Sequence, residues 1–166
     1  YLTHLNFNRH WVLNEHMTPD NKGILPGTVY LEMVRAAFIS GHGGEGQVEI
    51  RDVRFISPLL VQEGEEREVA LVLKNVGESL DSFEFSFFSR AVGEINHGVK
   101  QQVQIHSVGK IARVTGVNPV RYDIREIESS CSLGETPGVR EEGEKIVGAG
   151  GALVFGPRWR NMQRIK

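Results

Sequence analysis

Gly23-Ile24-Leu25-Pro26-Gly27-Thr28-Val29-Tyr30-Leu31-Glu32-Met33-Val34-Arg35-Ala36-Ala37-Phe38-Ile39-Ser40 is the stretch that decides the fold. Within it Tyr30, Met33, Val34, Ala37 and Phe38 recur at helical steps, the period of a single buried helix face. The spacing predicts a helix over about residues 28–40, with Thr28 as N-cap, Glu32 near the positive end of the dipole, and Gly41 and Gly43 as the stop. Upstream, Leu5, Phe7, Trp11 and Leu13 alternate with His4, Asn6, Asn8, His10 and Asn14, which reads as one half-buried strand. His16 falls just past that strand, in a segment made irregular by Pro19, Asp20, Asn21, Lys22 and Gly23.

Downstream lie four strand-like runs, at residues 47–60 with a break near Asp52 and Val53, and at 68–75, 82–90 and 97–111. Val69, Leu71 and Leu73, then Phe83, Phe85 and Phe87, then Val99, Val103 and Ile105 alternate with polar neighbours. The connections at 75–81 and 91–96 are too short for a parallel crossover, so these strands are expected to be antiparallel. A single helix beside so much sheet is buried only if the sheet curls around it, which gives an α+β class. Past Thr115 the pattern fades among Gly134, Pro137, Gly138 and Gly143. The expected organisation is a first unit at 1–115, a mobile linker at 116–152 and the start of a second unit at 153–166.

Composition narrows the function classes. The 166 residues carry a formal net charge of −2, which leaves no broad basic surface for nucleic acid or anionic lipid. Cys131 is the lone cysteine, so an internal disulfide and a CxxC zinc site are both excluded, and a reducing, cytoplasmic setting is expected. No run approaches the ~20 apolar residues of a membrane span, and residues 1–9 lack the pattern of a signal peptide. The chain opens on Tyr1, and a piece of a longer protein is expected. Weaker signals carry little: Gly148-Ala149-Gly150-Gly151 lacks a phosphate-loop signature, His4 and His10 lack further ligands for a metal, and Cys131 has no basic neighbour in sequence.

The strongest constellation is His16 followed by Leu25-Pro26-Gly27-Thr28 and the helix. A helix N-terminus offers unpaired N–H groups and about half a positive charge, which polarise an acyl carbonyl lodged there. A histidine beside it can take a proton from the carbon next to that carbonyl. From spacing alone, a strand-end histidine satisfied by backbone is the plainer alternative.

Trp11-x-Leu13-x-x-His16 with the residue 23–37 stretch resembles the N-terminal half of a dehydratase domain from a modular polyketide synthase. Val48-x-Ile50-x-Asp52-Val53-x-Phe55-x-x-Pro58-Leu59 is similar to the strand such domains carry after the helix, and Phe83 to Arg90 to their aromatic strand. Phe155-Gly156-Pro157-Arg158-Trp159 resembles the family's Tyr-Gly-Pro-x-Phe segment, which opens the second half. The resemblance covers roughly residues 5–112 and 153–162.

It implies the first half of a double hotdog, an antiparallel sheet wrapped around one long helix. It further implies dehydration of a 3-hydroxyacyl thioester carried on the phosphopantetheine of an acyl carrier protein, with no metal and no other cofactor. His16 would be the base that removes the C2 proton, and Pro26, Gly27, Thr28, Tyr30, Phe155 and Pro157 would contact substrate. Expected partners are the acyl carrier protein, other polyketide synthase domains and a second copy in a homodimer. The family's catalytic acid is an aspartate of the second hotdog, and none of Asp20, Asp52, Asp81 and Asp123 matches its segment. The family also spaces His, three residues, Gly, four residues, Pro, whereas here Asp20 stands at the glycine position and Pro26 arrives one residue late. A double-bond isomerase, a pyran-forming cyclase and a non-catalytic, carrier-binding structural domain are the alternatives.

Overall fold

The computed structural model describes the chain except residues 44–46, 77–80, 93–101, 117–119, 132–135, 138, 143–144, 149–150, 160–163 and 166, and gives backbone placement alone for the rest of 136–148 and 164–165. The elements run β1 (Leu2–Asn6), α1 (Trp11–Asn14), β2 (His16–Met17), β3 (Gly23–Ile24), α2 (Gly27–His42), β4 (Gln47–Phe55), β5 (Leu60–Val61), β6 (Glu66–Asn75), β7 (Ser82–Ala91) and β8 (Gln104–Val114). After them come α3 (Ile124–Ser130), β9 (Thr136–Pro137), β10 (Val139–Glu142), β11 (Lys145–Gly148), β12 (Val154–Phe155), a 3-10 turn (Pro157–Trp159) and β13 (Arg164–Ile165).

An antiparallel sheet in the order β1-β6-β7-β8-β4 packs on α2, the hotdog arrangement. Its inner face alternates with solvent-facing residues as the sequence predicts: Val69 and Leu71 on β6, Phe83, Phe85 and Phe87 on β7 and Ile111 on β8 are buried. Tyr30, Val34, Ala37 and Phe38 are the helix residues buried against it, with Phe38 edge-on to Phe83 at 5.8 Å and Tyr30 edge-on to Phe87 at 5.1 Å between ring centroids. Met33, expected in this set, is only half-buried. The break expected near Asp52 is a register shift between Arg51 and Arg54, with Asp52 at φ 55. Of the run expected at 97–111, residues 97–101 lie outside the described residues, Val103 is exposed ahead of the strand, and β8 begins at Gln104.

The helix starts earlier than predicted. Pro26, not Thr28, is the N-cap: its ring fixes φ at −62, and its carbonyl accepts the Val29 N–H at 3.0 Å. Thr28 therefore stands inside the first turn, while Glu32 lies beyond it and pairs with Arg35 on the surface. Gly43 ends the helix at φ 60, its N–H bonding the Ile39 carbonyl at 3.0 Å.

The single N-terminal strand is also corrected. The chain leaves β1 at Asn6, whose carbonyl accepts the Arg9 and His10 N–H groups, whose side chain accepts the Asn8 N–H at 3.0 Å, and whose own N–H bonds His10 Nδ1 at 3.1 Å. These local bonds compete with the strand ladder and turn the chain into α1. Leu13 on α1 is fully buried, while Trp11 is exposed.

A second sheet in the order β10-β11-β12-β2-β3-β5 runs through the segment that carries His16. Part of the 116–152 stretch expected as linker is therefore strand: β10 and β11 form an antiparallel hairpin that continues through β12 onto β2. Sheet pairing of this kind is carried by the backbone, and so it proceeds through a glycine- and charge-rich sequence. Among the described residues no helix is long and apolar enough to cross a membrane, and no group of three His, Cys, Asp or Glu side chains could hold a metal ion.

Candidate functional site

His16 sits on β2 between two neighbours, with β12 on one side in the register Phe155↔His16 and β3 on the other. It is buried, and its Nδ1 lies 2.7 Å from the carbonyl oxygen of Ile24 on β3. A carbonyl only accepts, so Nδ1 carries the hydrogen and donates it, which leaves the lone pair on Nε2. Burial holds the imidazole below its ordinary pKa, against a smaller upward pull from the Ile24 bond. The result is an oriented imidazole with its charged form disfavoured.

Between β2 and β3 the chain makes a tight turn. Thr18 and Lys22 close that turn by backbone and hydroxyl bonds at 2.9–3.2 Å, with Asn21 at φ 60. Gly23 then fits against α1, where an added Cβ would stand 2.8 Å from the Leu13 carbonyl oxygen. Asp20 is exposed at the tip and paired with Lys22 at 2.7 Å; its bonds to Lys22 and Thr18 hold it below the usual carboxylate range. Such a group is deprotonated at neutral pH and donates no proton. Asp52, Asp81 and Asp123 are exposed as well, and Asp123 caps α3 through the Arg125 N–H at 2.8 Å.

From Ile24 the chain passes through Leu25, whose N–H bonds the Leu59 carbonyl at 3.0 Å, into Pro26 and the start of α2. Gly27 and Thr28 have no intrahelical carbonyl to bind, so their N–H groups are the donors at this end. Gly27 accommodates Phe55: a Cβ there would lie 2.9 Å from the ring. Pro26 is buried and Thr28 is exposed. Tyr30 is buried between Phe55 and Phe87; burial raises its pKa above the ordinary value, against a smaller downward pull from the Leu59 backbone.

Phe155 and Trp159 enclose His16 from the other side, with ring centroids 5.4 and 5.2 Å from the imidazole. The Trp159 indole N–H is buried without a partner among the described residues, and Pro157 is exposed at the head of the 3-10 turn. This wall is fastened by Glu15, a residue without any sequence signal. The Glu15 carbonyl accepts the Gly156 N–H at 2.9 Å, and its carboxylate accepts the Arg158 N–H at 2.8 Å and pairs with the Arg158 guanidinium. That guanidinium lies 5.0 Å from the centre of the Trp11 ring.

A second buried histidine, His106 on β8, also escaped the sequence reading. Its Nε2 is 2.7 Å from the Ser89 hydroxyl and its Nδ1 3.1 Å from the Ser57 carbonyl, so its hydrogen-bonding capacity is used by β7 and by the segment that follows β4.

The antiparallel sheet packed on α2 defines a hotdog. Residues 1–90 match a family model described as the polyketide synthase dehydratase domain, and the chain belongs to that family. Solved structures agree in fold. The dehydratase domain from the CurF module of curacin polyketide synthase superposes with a TM-score of 0.67 at 24% identity, over 85% of this chain and 46% of that one. An N-terminal dehydratase from the difficidin assembly line gives 0.65 at 13% identity, covering 82% and 45%. A trans-AT polyketide synthase dehydratase domain from Brevibacillus brevis gives 0.58 at 17%, covering 82% and 48%. The chain thus spans about half the length of these structures. No curated protein matches it.

Proposed function

We propose that this chain supplies the base half of a dehydratase that removes water from a 3-hydroxyacyl thioester borne on the phosphopantetheine of an acyl carrier protein. The observation that carries the reading is the His16 Nδ1 to Ile24 carbonyl bond, which leaves Nε2 free as a base just ahead of the α2 N-terminus. In this reading the thioester oxygen takes hydrogen bonds from the Gly27 and Thr28 N–H groups, which stabilise the enolate that forms when His16 removes the C2 proton. The electron pair then forms the C2–C3 double bond, and the 3-hydroxyl leaves as water with a proton from an acid. Pro26 shapes that carbonyl site, Tyr30 offers its hydroxyl, and Phe155 and Pro157 line the approach.

All four aspartates are exposed, so the acid is assigned to a second hotdog outside these residues. The same reading takes other polyketide synthase domains as neighbours and a homodimer as the assembly.

Two assays run side by side test the division of labour: the chain alone, and the chain joined to a second dehydratase hotdog, each following loss of water from a carrier-bound 3-hydroxyacyl chain. Turnover confined to the joined protein is expected. Equal turnover by the chain alone would overturn it.

A further inference from the structure

We propose that Glu15 is a positioning residue of the His16 site, its carboxylate anchoring the Phe155–Trp159 wall that encloses the imidazole. This rests on the reading of His16 as the base. Glu15 is buried, although an isolated carboxylate is costly to bury, and the structure shows what its burial achieves. One carboxylate oxygen takes the Arg158 backbone N–H at 2.8 Å, and the other meets the Arg158 guanidinium. The Glu15 carbonyl takes the Gly156 N–H at 2.9 Å. Three bonds from one residue thus fasten both ends of the turn that follows Phe155.

The fit leaves no room for slippage. A Cβ on Gly156 would stand 2.2 Å from Glu15 Cγ, so glycine alone lets this turn lie on the Glu15 side chain. Glu15 and His16 are adjacent on the chain and point to different tasks. His16 faces Phe155 and Trp159 at 5.4 and 5.2 Å, and Glu15 holds the backbone that carries those rings. Without the anchor the wall swings away, and water reaches His16. Bulk water at the imidazole would compete for the lone pair that takes the substrate proton.

The experiment is histidine labelling with diethyl pyrocarbonate, read peptide by peptide by mass spectrometry on this chain. His106, buried on β8 away from Glu15's partners, reports general unfolding. In Glu15→Ala, His16 is expected to label roughly tenfold faster while His106 stays at its wild-type rate. Glu15→Gln, which keeps an acceptor for the Arg158 N–H, should give an intermediate rate. An unchanged His16 rate in Glu15→Ala overturns the proposal. Should His16 and His106 rise together in that variant, the chain has opened as a whole and Arg158→Ala decides: faster labelling of His16 alone supports the anchor, and a wild-type rate overturns it. In the protein joined to a second hotdog, Glu15→Ala should lower kcat with KM held. Labelling needs no substrate, so failure of the anchor leaves the dehydratase reading intact, and failure of that reading in the water-loss assay leaves the labelling result intact.

Discussion

Nδ1 of His16 lies 2.7 Å from the carbonyl oxygen of Ile24, a contact between two neighbouring short strands. It fixes which nitrogen carries the hydrogen, and it ties the imidazole to the strand that leads into the α2 N-terminus. Thr18 and Lys22 close the turn between those two strands.

Replacing Phe38, fully buried beneath the sheet, by alanine should cost about 3–5 kcal/mol of stability in urea unfolding. Met33→Ala, at a half-buried position beside Leu2, should cost less, under about 2 kcal/mol. An equal loss at both positions would contradict the observed helix face.

Gly23→Ala places a methyl 2.8 Å from the Leu13 carbonyl oxygen and 2.9 Å from Leu13 Cβ, both in a buried turn. The backbone must yield there, at about 1–3 kcal/mol. Since Gly23 directly precedes Ile24, the His16 contact should loosen too. An NMR titration would then show the His16 pKa moving further down, because the Ile24 bond is what pulls it up against burial.

Burial lowers the pKa of both His16 and His106, so between their folded values and the unfolded value of ~6.5 the unfolded chain binds more protons. Stability therefore rises with pH through that window. Their contribution is fully present above ~6.5 and is lost as pH falls below it. Urea midpoints should drop between about pH 7.5 and about pH 5.5, and a His106→Asn variant should show a shallower drop. The same lowered value keeps His16 neutral below pH ~6.5, so the acid limb of kcat/KM should fall below that point.

Asp20→Asn should leave dehydration by the joined protein unchanged. Asp20 is exposed and ion-paired with Lys22 on the surface of the turn. A large loss of turnover would make Asp20 part of the chemistry.

Much of this architecture was legible in the sequence, for physical reasons. α2 and the strands β6 and β7 are long enough for their periods to repeat, and each buries one face, so the pattern survives reading by eye. α1 is one turn long and cannot display a helical period, which is why Phe7, Trp11 and Leu13 read as strand. The pairing of residues 139–148 rests on backbone groups and leaves little trace in side-chain type. His16 was legible because the helix signals after it are strong. Glu15 was not, since its partner Arg158 is 143 positions away and neither residue belongs to a period or a motif. His106 sits on β8 where the register shifts between Phe87 and Phe88, and such a shift breaks the alternation that would have marked it as buried.

The central claim is that His16 is the base. It is tested most directly by His16→Phe in the chain joined to a second hotdog, with water loss from a carrier-bound 3-hydroxyacyl thioester followed by mass spectrometry and folding checked by the urea midpoint. The account predicts no detectable enoyl product from a folded variant. Turnover at the wild-type rate by folded His16→Phe would contradict it.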